Sequence, residues 1–227
     1  MKPFIPTFRN QPWESGVSVL HLYVVPDPTV DTELFDLIAA CRTTMQHYPI
    51  WCLPDDLVHI TIEMDAAAPS QEISAARRAL LISELKAGLR SFEPFTVLCG
   101  SPIAGRSGAV LDTHPDQGLT ALQNLARAAL WQVHDSPAIA HDGGRGHASL
   151  GYAHGTADSD PLQSALRQIH PSHAPLTVSQ LHLLDVRWTA HPTPDGGARW
   201  EMTWEPVAVL PLGPEPHDVD QKQALPV

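Results

Sequence analysis

Two short segments, residues 58–62 (VHITI) and 146–150 (GHASL), each place a histidine and a small hydroxyl two positions apart in apolar, strand-like surroundings. In a β-strand, side chains at i and i+2 leave the same face of the sheet. The histidine and the hydroxyl of each segment therefore project together, while their neighbours enter the core. This repeated pattern constrains the fold more than any other feature, because two such strands can build one polar site.

The apolar context, rather than the triplet alone, distinguishes these two segments. The chain has 13 histidines, and six of them are followed by Ser or Thr two positions later. Only His59 with Thr61 and His147 with Ser149 have apolar residues at the intervening and following positions, as a half-buried strand requires. The other four lie beside Pro or Gly, which marks turns or loops: His134, His154, His170 and His191.

Length and composition predict one large domain with an internal duplication. The chain has 227 residues, of which 43% are hydrophobic, so it can bury a substantial core. No segment approaches the run of about 18 apolar residues that crosses a bilayer, and the start lacks the apolar stretch of a secretory signal. We therefore expect a cytoplasmic protein that does not contact a membrane. Its three cysteines have no close-spaced pair, which favours reduced, structural thiols.

The charge favours a small substrate. A formal net charge of −11 argues against a broad electrostatic contact with long nucleic acid. A local cationic pocket is still compatible with this charge, since Arg106 and Arg145 lie in glycine-rich loops where an anion could bind. We expect a monomer that binds a small substrate rather than structured RNA.

The order of elements predicts an α+β fold made of one duplicated two-lobe domain. Residues 1–16 form an N-terminal arm, and residues 213–227 form a flexible, acidic and Pro-containing tail. Between them a strand–helix–strand–helix order occurs twice, in lobe 1 (about 17–105) and lobe 2 (about 106–212). The two histidine strands occupy the same place in their lobes. This predicts antiparallel sheets with outer helices around a central cleft, related by a pseudo-twofold axis.

Several element boundaries can also be predicted. Ser70 is a candidate N-cap for the second helix of lobe 1, and Asp160 before Pro161 is a candidate N-cap in lobe 2. Residues 176–186 and 200–209 read as a hairpin around the turn at 194–197.

Two imidazoles across a cleft form an acid/base pair, because an ordinary pKa of about 6.5 lets one be neutral while the other is protonated. The hydroxyls of Thr61 and Ser149 can donate hydrogen bonds to non-bridging phosphoryl oxygens without adding negative charge. This set of residues predicts cleavage of a phosphodiester with no metal and no cofactor. For a single histidine, a structural role at a sheet edge is the simpler explanation, but two matched copies favour catalysis.

Three further residues are candidate substrate contacts. His21 and Tyr23 share one face of the first strand, and Arg145 precedes the second motif in a flexible loop. Each also has a simpler explanation, as a solvated sheet face or a plain loop. A structural role is favoured for His182. The alternating Trp200, Met202 and Trp204 predict a strand that packs one face into the core.

The paired segments resemble the two-histidine (2H) phosphoesterase superfamily, in which each lobe contributes one His-x-Thr/Ser-x strand to a central cleft. His59–Thr61 and His147–Ser149 fit this motif fully, and the resemblance covers roughly residues 17–210. It is nearest to the bacterial 2′-5′ RNA ligase-like and cyclic phosphodiesterase branch, whose second motif often continues as Gly151-Tyr152 does here.

The resemblance implies hydrolysis of a cyclic 2′,3′-type or 2′-linked phosphodiester, in a small nucleotide or sugar cyclic phosphate or at an RNA end. It implies that His59 and His147 are the base and the acid and that Thr61 and Ser149 bind the phosphate. The sequence leaves open which histidine is the base, because this depends on the direction of the substrate across a nearly symmetric cleft.

Three alternatives stay open. A metal hydrolase would use the cluster of His134, Asp135, His141, Asp142 and His147, although the spacing matches no metal motif. A non-catalytic module would bind a nucleotide or an RNA end in the same cleft. A 2′-5′ RNA ligase would run the reaction in reverse with the same residues.

Overall fold

The computed structural model describes residues 1–134, 138–140, 144–194 and 196–214. Within these residues the chain forms four α-helices: α1 (Thr32–Met45), α2 (Ala75–Leu89), α3 (Gln117–Val133) and α4 (Asp160–Leu166). It also forms these strands: β1 (Thr7–Phe8), β2 (Gln11–Pro12), β3 (Ser18–Val24), β4 (Ile50–Cys52), β5 (Ile60–Met64), β6 (Phe95–Ala104), β7 (Gly108–His114), β8 (His147–Ala153), β9 (Ala174–Val178), β10 (Gln180–Pro192) and β11 (Ala198–Pro211).

Nine of these strands form one antiparallel sheet in the order β11-β10-β3-β5-β8-β7-β6-β9, with β4 paired to the C-terminal part of β8. The predicted α+β class with outer helices is confirmed, and the strands form one continuous sheet. The two strands that carry the motifs, β5 and β8, are neighbours at its centre. The half that contains β5 has four strands, and the half that contains β8 has five, including β4.

The sheet is strongly curled, as the short connection between β9 and β10 shows. Ser179 alone separates β9, at one edge of the sheet, from β10, which lies between β3 and β11 near the other edge. Because one residue spans only about 3.8 Å, the two ends of the sheet must approach one another. The predicted continuous strand 176–186 is therefore wrong, whereas its hairpin with 200–209 is confirmed as β10 and β11. The sequence has no Pro or Gly at Ser179 to mark the break.

The two halves of the sheet do not coincide with the sequence segments 17–105 and 106–212. From the first segment, β3 and β5 join one half, whereas β4 and β6 join the other. Helices α2 and α3 pack together against the β5 side, and α1 packs on β9 and α4. Each half of the sheet therefore draws on both sequence segments.

The side chains of the sheet alternate between two hydrophobic clusters. One face packs against the helices and includes Leu20, Leu22, Ile60, Ala148 and Leu150. The opposite, concave face carries a smaller cluster rich in aromatic rings: Trp13, Tyr23, Tyr152, Trp188 and Trp204. Because His59 and Thr61 alternate with Ile60, they belong to the concave face.

The arm of residues 1–16 is docked on the domain. The backbone N–H of Lys2 donates to the Arg106 carbonyl at 2.7 Å, and that of Phe4 donates to the Ala153 carbonyl at 2.7 Å. Trp13 is 5% exposed. Residues 215–227 of the tail, for which flexibility is predicted, lie outside the described residues.

Helix starts differ from the predicted caps by a few residues. Helix α2 begins at Ala75, and the Ser74 side chain accepts a hydrogen bond from the Arg77 N–H, whereas Ser70 opens a short 3-10 turn. In α4, Asp160 is the first helical residue and Ser159 precedes it. All three cysteines are free. None of the described helices combines the length and the apolarity that crossing a bilayer requires.

Candidate active site

The register of β5 and β8 places the two motifs against each other. Ile60 pairs with Ala148, and the Ser149 N–H donates to the His59 carbonyl at 3.1 Å. In an antiparallel ladder this register sets His59 opposite Ser149 and Thr61 opposite His147. The two imidazoles are therefore diagonal neighbours on the concave face, at a Cα separation of about 7–8 Å for such pairs. A phosphate-sized group can be contacted from both sides.

Each motif strand has a β-bulge one residue after its hydroxyl. In β5, Thr61 pairs with Tyr23 and Glu63 with Leu22, which leaves Ile62 without a partner in β3. In β8 the corresponding unpaired residue is Leu150. A bulge changes which face the following side chains occupy and is common beside active sites. The fourth, apolar position of each motif is thus the bulged residue.

Both motif histidines are oriented by the same backbone contact. Nδ1 of His59 donates to the Leu57 carbonyl at 2.8 Å, and Nδ1 of His147 donates to the Arg145 carbonyl at 3.0 Å. In each case the acceptor lies two residues earlier in the chain. This contact fixes the ring and leaves Nε2 as the atom that can exchange a proton with a substrate.

His59 is enclosed by aromatic rings. It is 1% exposed, stacks on Tyr23 with ring centroids 4.3 Å apart, and meets Trp204 edge-on at 5.8 Å. Burial lowers the pKa of His59 to about 4, the Leu57 hydrogen bond partly opposes this, and the charges of His21 and His147 lower the pKa further. His59 is therefore neutral near pH 7 and presents a lone pair at Nε2.

His147 has a contrasting, open environment. It is exposed and lines a cavity of about 170 Å³ together with Ser149, Tyr152, Phe4 and Arg106. Ser149 itself is 6% exposed. A ligand in this cavity therefore meets His147 and Ser149 directly.

A tyrosine accompanies each motif hydroxyl. Tyr23 pairs with Thr61 in the β3–β5 register, and Tyr152 lines the same cavity as Ser149. Burial raises the pKa of Tyr23 well above its ordinary value and raises that of Tyr152 to about 12, so both phenols stay protonated. Tyr23 was a predicted contact. Tyr152 is not among the predicted contacts, because its place on the same face as Ser149 depends on the bulge at Leu150.

His21 lies on the same concave face, as the strand alternation predicts. Its Nδ1 donates to the Val19 carbonyl at 3.0 Å, which repeats the contact made by both motif histidines. Its ring lies between Trp13, at 6.3 Å, and Tyr23, at 5.2 Å. Burial lowers the pKa of His21 to about 4. It is thus a neutral imidazole beside the site.

Arg145 contributes its carbonyl rather than a free charge. Its guanidinium is bonded to Asp116 at 2.9 and 3.0 Å and lies 4.0 Å from Asp112. These carboxylates compensate its charge, and Arg145 does not line the cavity that contains His147. The contact that the structure shows is therefore the one that orients His147.

The region of the alternative metal site is only partly described. His134 is 8% exposed, and its Nε2 lies 2.8 Å from Asp65 Oδ2 in a buried pair. Asp135, His141 and Asp142 lie outside the described residues. Within the part of the chain that the structure describes, no three His, Cys, Asp or Glu side chains are arranged to hold a metal ion.

Trp204 is a site residue that the strand pattern did not reveal. The alternation of Trp200, Met202 and Trp204 predicts core packing, and Met202 is indeed buried. Trp204, however, meets both Tyr23 and His59 edge-on. No local sequence pattern predicts these contacts of Trp204, because they require β11 to pair with β10, β10 with β3 and β3 with β5.

No family model and no curated protein matches the chain. Solved structures do match its fold. A phosphoesterase is 12% identical with a TM-score of 0.56, and the match covers 86% of this chain and 99% of that one. Escherichia coli LigT complexed with 3′-AMP is 14% identical with a TM-score of 0.59, covering 87% and 99%. TT0787 of Thermus thermophilus is 14% identical with a TM-score of 0.56, covering 87% and 100%.

These structures belong to the two-histidine phosphoesterases. The match spans nearly their whole length, so this chain has the fold of these structures. The predicted resemblance is confirmed at the level of the fold.

Proposed function

We propose that this protein is a metal-independent phosphodiesterase of the two-histidine class. Its substrate is a cyclic 2′,3′-type or 2′-linked phosphodiester of a nucleotide or a small sugar phosphate. The observation that carries the proposal is the juxtaposition of His59, His147, Thr61 and Ser149 on one face of two adjacent strands. These four side chains supply a base, an acid and two hydrogen-bond donors without requiring a further group.

The different burial of the two imidazoles favours one assignment of roles. His59 is enclosed, and the lowered pKa keeps its Nε2 unprotonated, which suits a general base. His147 is open to solvent and can be supplied with a proton, which suits a general acid. The Nδ1 contacts with Leu57 and Arg145 hold both rings in place during the reaction.

The reaction then proceeds as one displacement at phosphorus. His59 Nε2 takes a proton from the attacking water, whose oxygen forms the new P–O bond. The P–O bond to the leaving ribose oxygen breaks, and His147 gives its proton to that oxygen. The Thr61 and Ser149 hydroxyls donate to the non-bridging oxygens, where negative charge increases in the transition state. Proton exchange with solvent restores both histidines.

The fold neighbours support a nucleotide as the ligand class. Structures of E. coli LigT hold 3′-AMP, NADP+, ATP and phosphate. For this chain a nucleotide also agrees with a site that combines phosphate-binding hydroxyls with aromatic rings, on which a base can stack. The cytoplasmic location and the monomeric state stay predictions.

The test is a turnover assay with a chelator present throughout. The substrates are 2′,3′-cyclic nucleotides, ADP-ribose cyclic phosphate and 2′-5′ dinucleotides, and each product is identified by chromatography. We expect conversion of at least one substrate to a phosphomonoester, with the same rate before and after chelation. The matched control for the histidine variants is His47→Ala, since His47 is an exposed histidine just after α1.

Three results would overturn the proposal. Loss of activity on chelation, with rescue by zinc or manganese, would favour a metal hydrolase. Binding of these ligands with no turnover would favour a non-catalytic module. Joining of a 2′,3′-cyclic end to a 5′-hydroxyl, with no hydrolysis, would assign the same residues to a ligase.

A further inference from the structure

The cavity beside His147 differs from the acidic protein as a whole in the charge of its lining residues. The chain has 25 acidic and 14 basic residues, yet none of the described residues that line this cavity is acidic. Arg106 is the one lining residue that is always protonated, and it shares the cavity with the motif pair His147 and Ser149. The cavity therefore favours an anion, in contrast to the protein as a whole.

The turn that carries Arg106 is held by backbone hydrogen bonds. The Gly105 N–H donates to the Gly108 carbonyl at 2.8 Å, and the Ala153 N–H donates to the Ser107 carbonyl at 2.9 Å. Gly108 packs so closely on β8 that a Cβ there would overlap the Gly151 carbonyl. The turn of residues 105–108 is thus fixed to the strand that carries the second motif. A fixed turn lowers the entropy lost when a ligand binds.

The N-terminal arm supplies another part of the cavity wall. The Lys2 N–H donates to the Arg106 carbonyl, which links the arm to the turn. The Phe4 ring lies 4.3 Å from the Tyr152 ring and lines the same cavity. The space is therefore lined both by the Phe4 and Tyr152 rings and by the Arg106 turn.

The guanidinium of Arg106 is available, unlike that of Arg145. Arg106 is exposed, and among the described residues its side chain has no ion-pair or hydrogen-bond partner. Arg145, on the other side of His147, is already bonded to Asp116. Arginine binds phosphate through paired, charge-assisted N–H···O contacts, so Arg106 is suited to a phosphate group.

We propose that the cavity between Arg106 and Phe4 is a second phosphate subsite, which binds a phosphate monoester elsewhere on the same substrate. The inference rests on the proposed function, because it takes the reacting phosphodiester to lie at His147 and Ser149. With this subsite, the favoured substrate is a nucleotide that carries an additional phosphate, such as a 5′-phosphate, rather than an unsubstituted cyclic nucleotide.

The size of the cavity agrees with a subsite for part of a ligand. Its volume of about 170 Å³ is smaller than the roughly 300–1,000 Å³ typical of a site that encloses a whole small molecule. The cavity therefore suits a phosphate group and the adjoining sugar, while the reacting phosphodiester lies at the motif residues on its edge.

Calorimetric binding tests the subsite independently of turnover. The ligands are adenosine 3′-monophosphate and adenosine 3′,5′-bisphosphate, which differ only in the 5′-phosphate. We expect the bisphosphate to bind roughly 10- to 100-fold more tightly than the monophosphate, which is the gain that one charge-assisted contact provides. This gain in affinity should shrink as the salt concentration is raised. Arg106→Gln removes the gain and leaves the affinity for the monophosphate unchanged. Arg90→Gln, which removes an exposed arginine at the end of α2, keeps the gain.

Two outcomes would overturn the subsite: equal affinity for the two ligands, or a gain that persists in Arg106→Gln. Kinetics then separate the two proposals. Hydrolysis of a 2′,3′-cyclic nucleotide with the same kcat/KM with and without a 5′-phosphate overturns the subsite and keeps the proposed function. A binding gain that depends on Arg106, without hydrolysis of any phosphodiester, keeps the subsite and overturns the proposed function.

Discussion

The surroundings of His59 and those of His147 differ greatly, although the two motif strands share their local structure. Both histidines donate Nδ1–H to a carbonyl two residues earlier, and both strands bulge after the hydroxyl. His59 contacts the aromatic rings of Tyr23 and Trp204 and is almost completely shielded from solvent. His147 lines an open cavity that Arg106 also lines.

This difference indicates how a duplicated motif acquires two roles. The backbone contacts orient both rings in the same way, so they do not distinguish acid from base. Burial distinguishes the acid from the base, because it removes the solvation that a charged imidazole needs. We infer that the β5 side supplies a neutral base and that the β8 side receives the substrate. Three experiments test this difference between the two halves.

The largest expected effect comes from removing either imidazole. His59→Ala and His147→Ala should each lower kcat by a factor of about 10² to 10⁴, the range for loss of a general acid or base. Steady-state kinetics on the best substrate of the turnover assay measures this. The pH profiles should then differ, because only His147→Ala retains the base. An unchanged rate in either variant would contradict a paired mechanism.

A smaller effect is expected for the two hydroxyls. Thr61→Val and Ser149→Ala should each lower kcat by about 10²-fold, as for loss of one donor to a developing oxyanion. Thr61→Ser should retain most of the rate, since it keeps the hydroxyl. Thr189→Val, on an exposed position of β10, is the control for a strand threonine and should leave kcat unchanged. If the valine and serine variants at position 61 are equally slow, packing rather than hydrogen bonding explains the loss.

The third test concerns stability against pH. The pKa of both His21 and His59 is about 4 in the folded protein and about 6.5 when unfolded, so the unfolded chain binds more protons between these values. The folded state should therefore lose stability as pH falls from about 6.5 to about 4, by roughly 3 kcal/mol for each histidine. At His21 the Val19 hydrogen bond and the Asp185 charge keep the pKa from falling below this value. Denaturant unfolding at several pH values measures the slope.

His21→Asn should remove about half of that slope without changing the stability trend above pH 7. His47→Gln, at an exposed position, should leave the slope as in the parent protein. An identical slope in His21→Asn and the parent protein would show that His21 is not held neutral by burial.

Local features were predictable from the sequence because they depend on neighbours in the chain. Strand alternation placed His59 with Thr61, His147 with Ser149, and His21 with Tyr23 on the concave face, and the structure has all three arrangements. The β10–β11 hairpin was predictable for the same reason, since its apolar pattern flanks a Gly-containing turn.

Features that depend on distant partners were not predictable. The bulges at Ile62 and Leu150 are defined only by the registers with β3 and β7. The contact of Trp204 with His59 requires four strands, β11, β10, β3 and β5, to pair in that order. The break at Ser179 has no local signal, and the interleaving of the two sequence segments follows from the curl of the sheet.

The sequence by itself determined the strand motifs, the outer helices and the pairing of each histidine with its hydroxyl, because these follow from side-chain periodicity and local backbone preferences. Only the tertiary structure decided that β5 and β8 are adjacent, that His59 is enclosed while His147 is open, and that the arm and the Arg106 turn line the same cavity. The physical reason is that burial and charge surroundings are properties of packed neighbours, and the packing of this curled sheet brings together residues that are far apart in the chain.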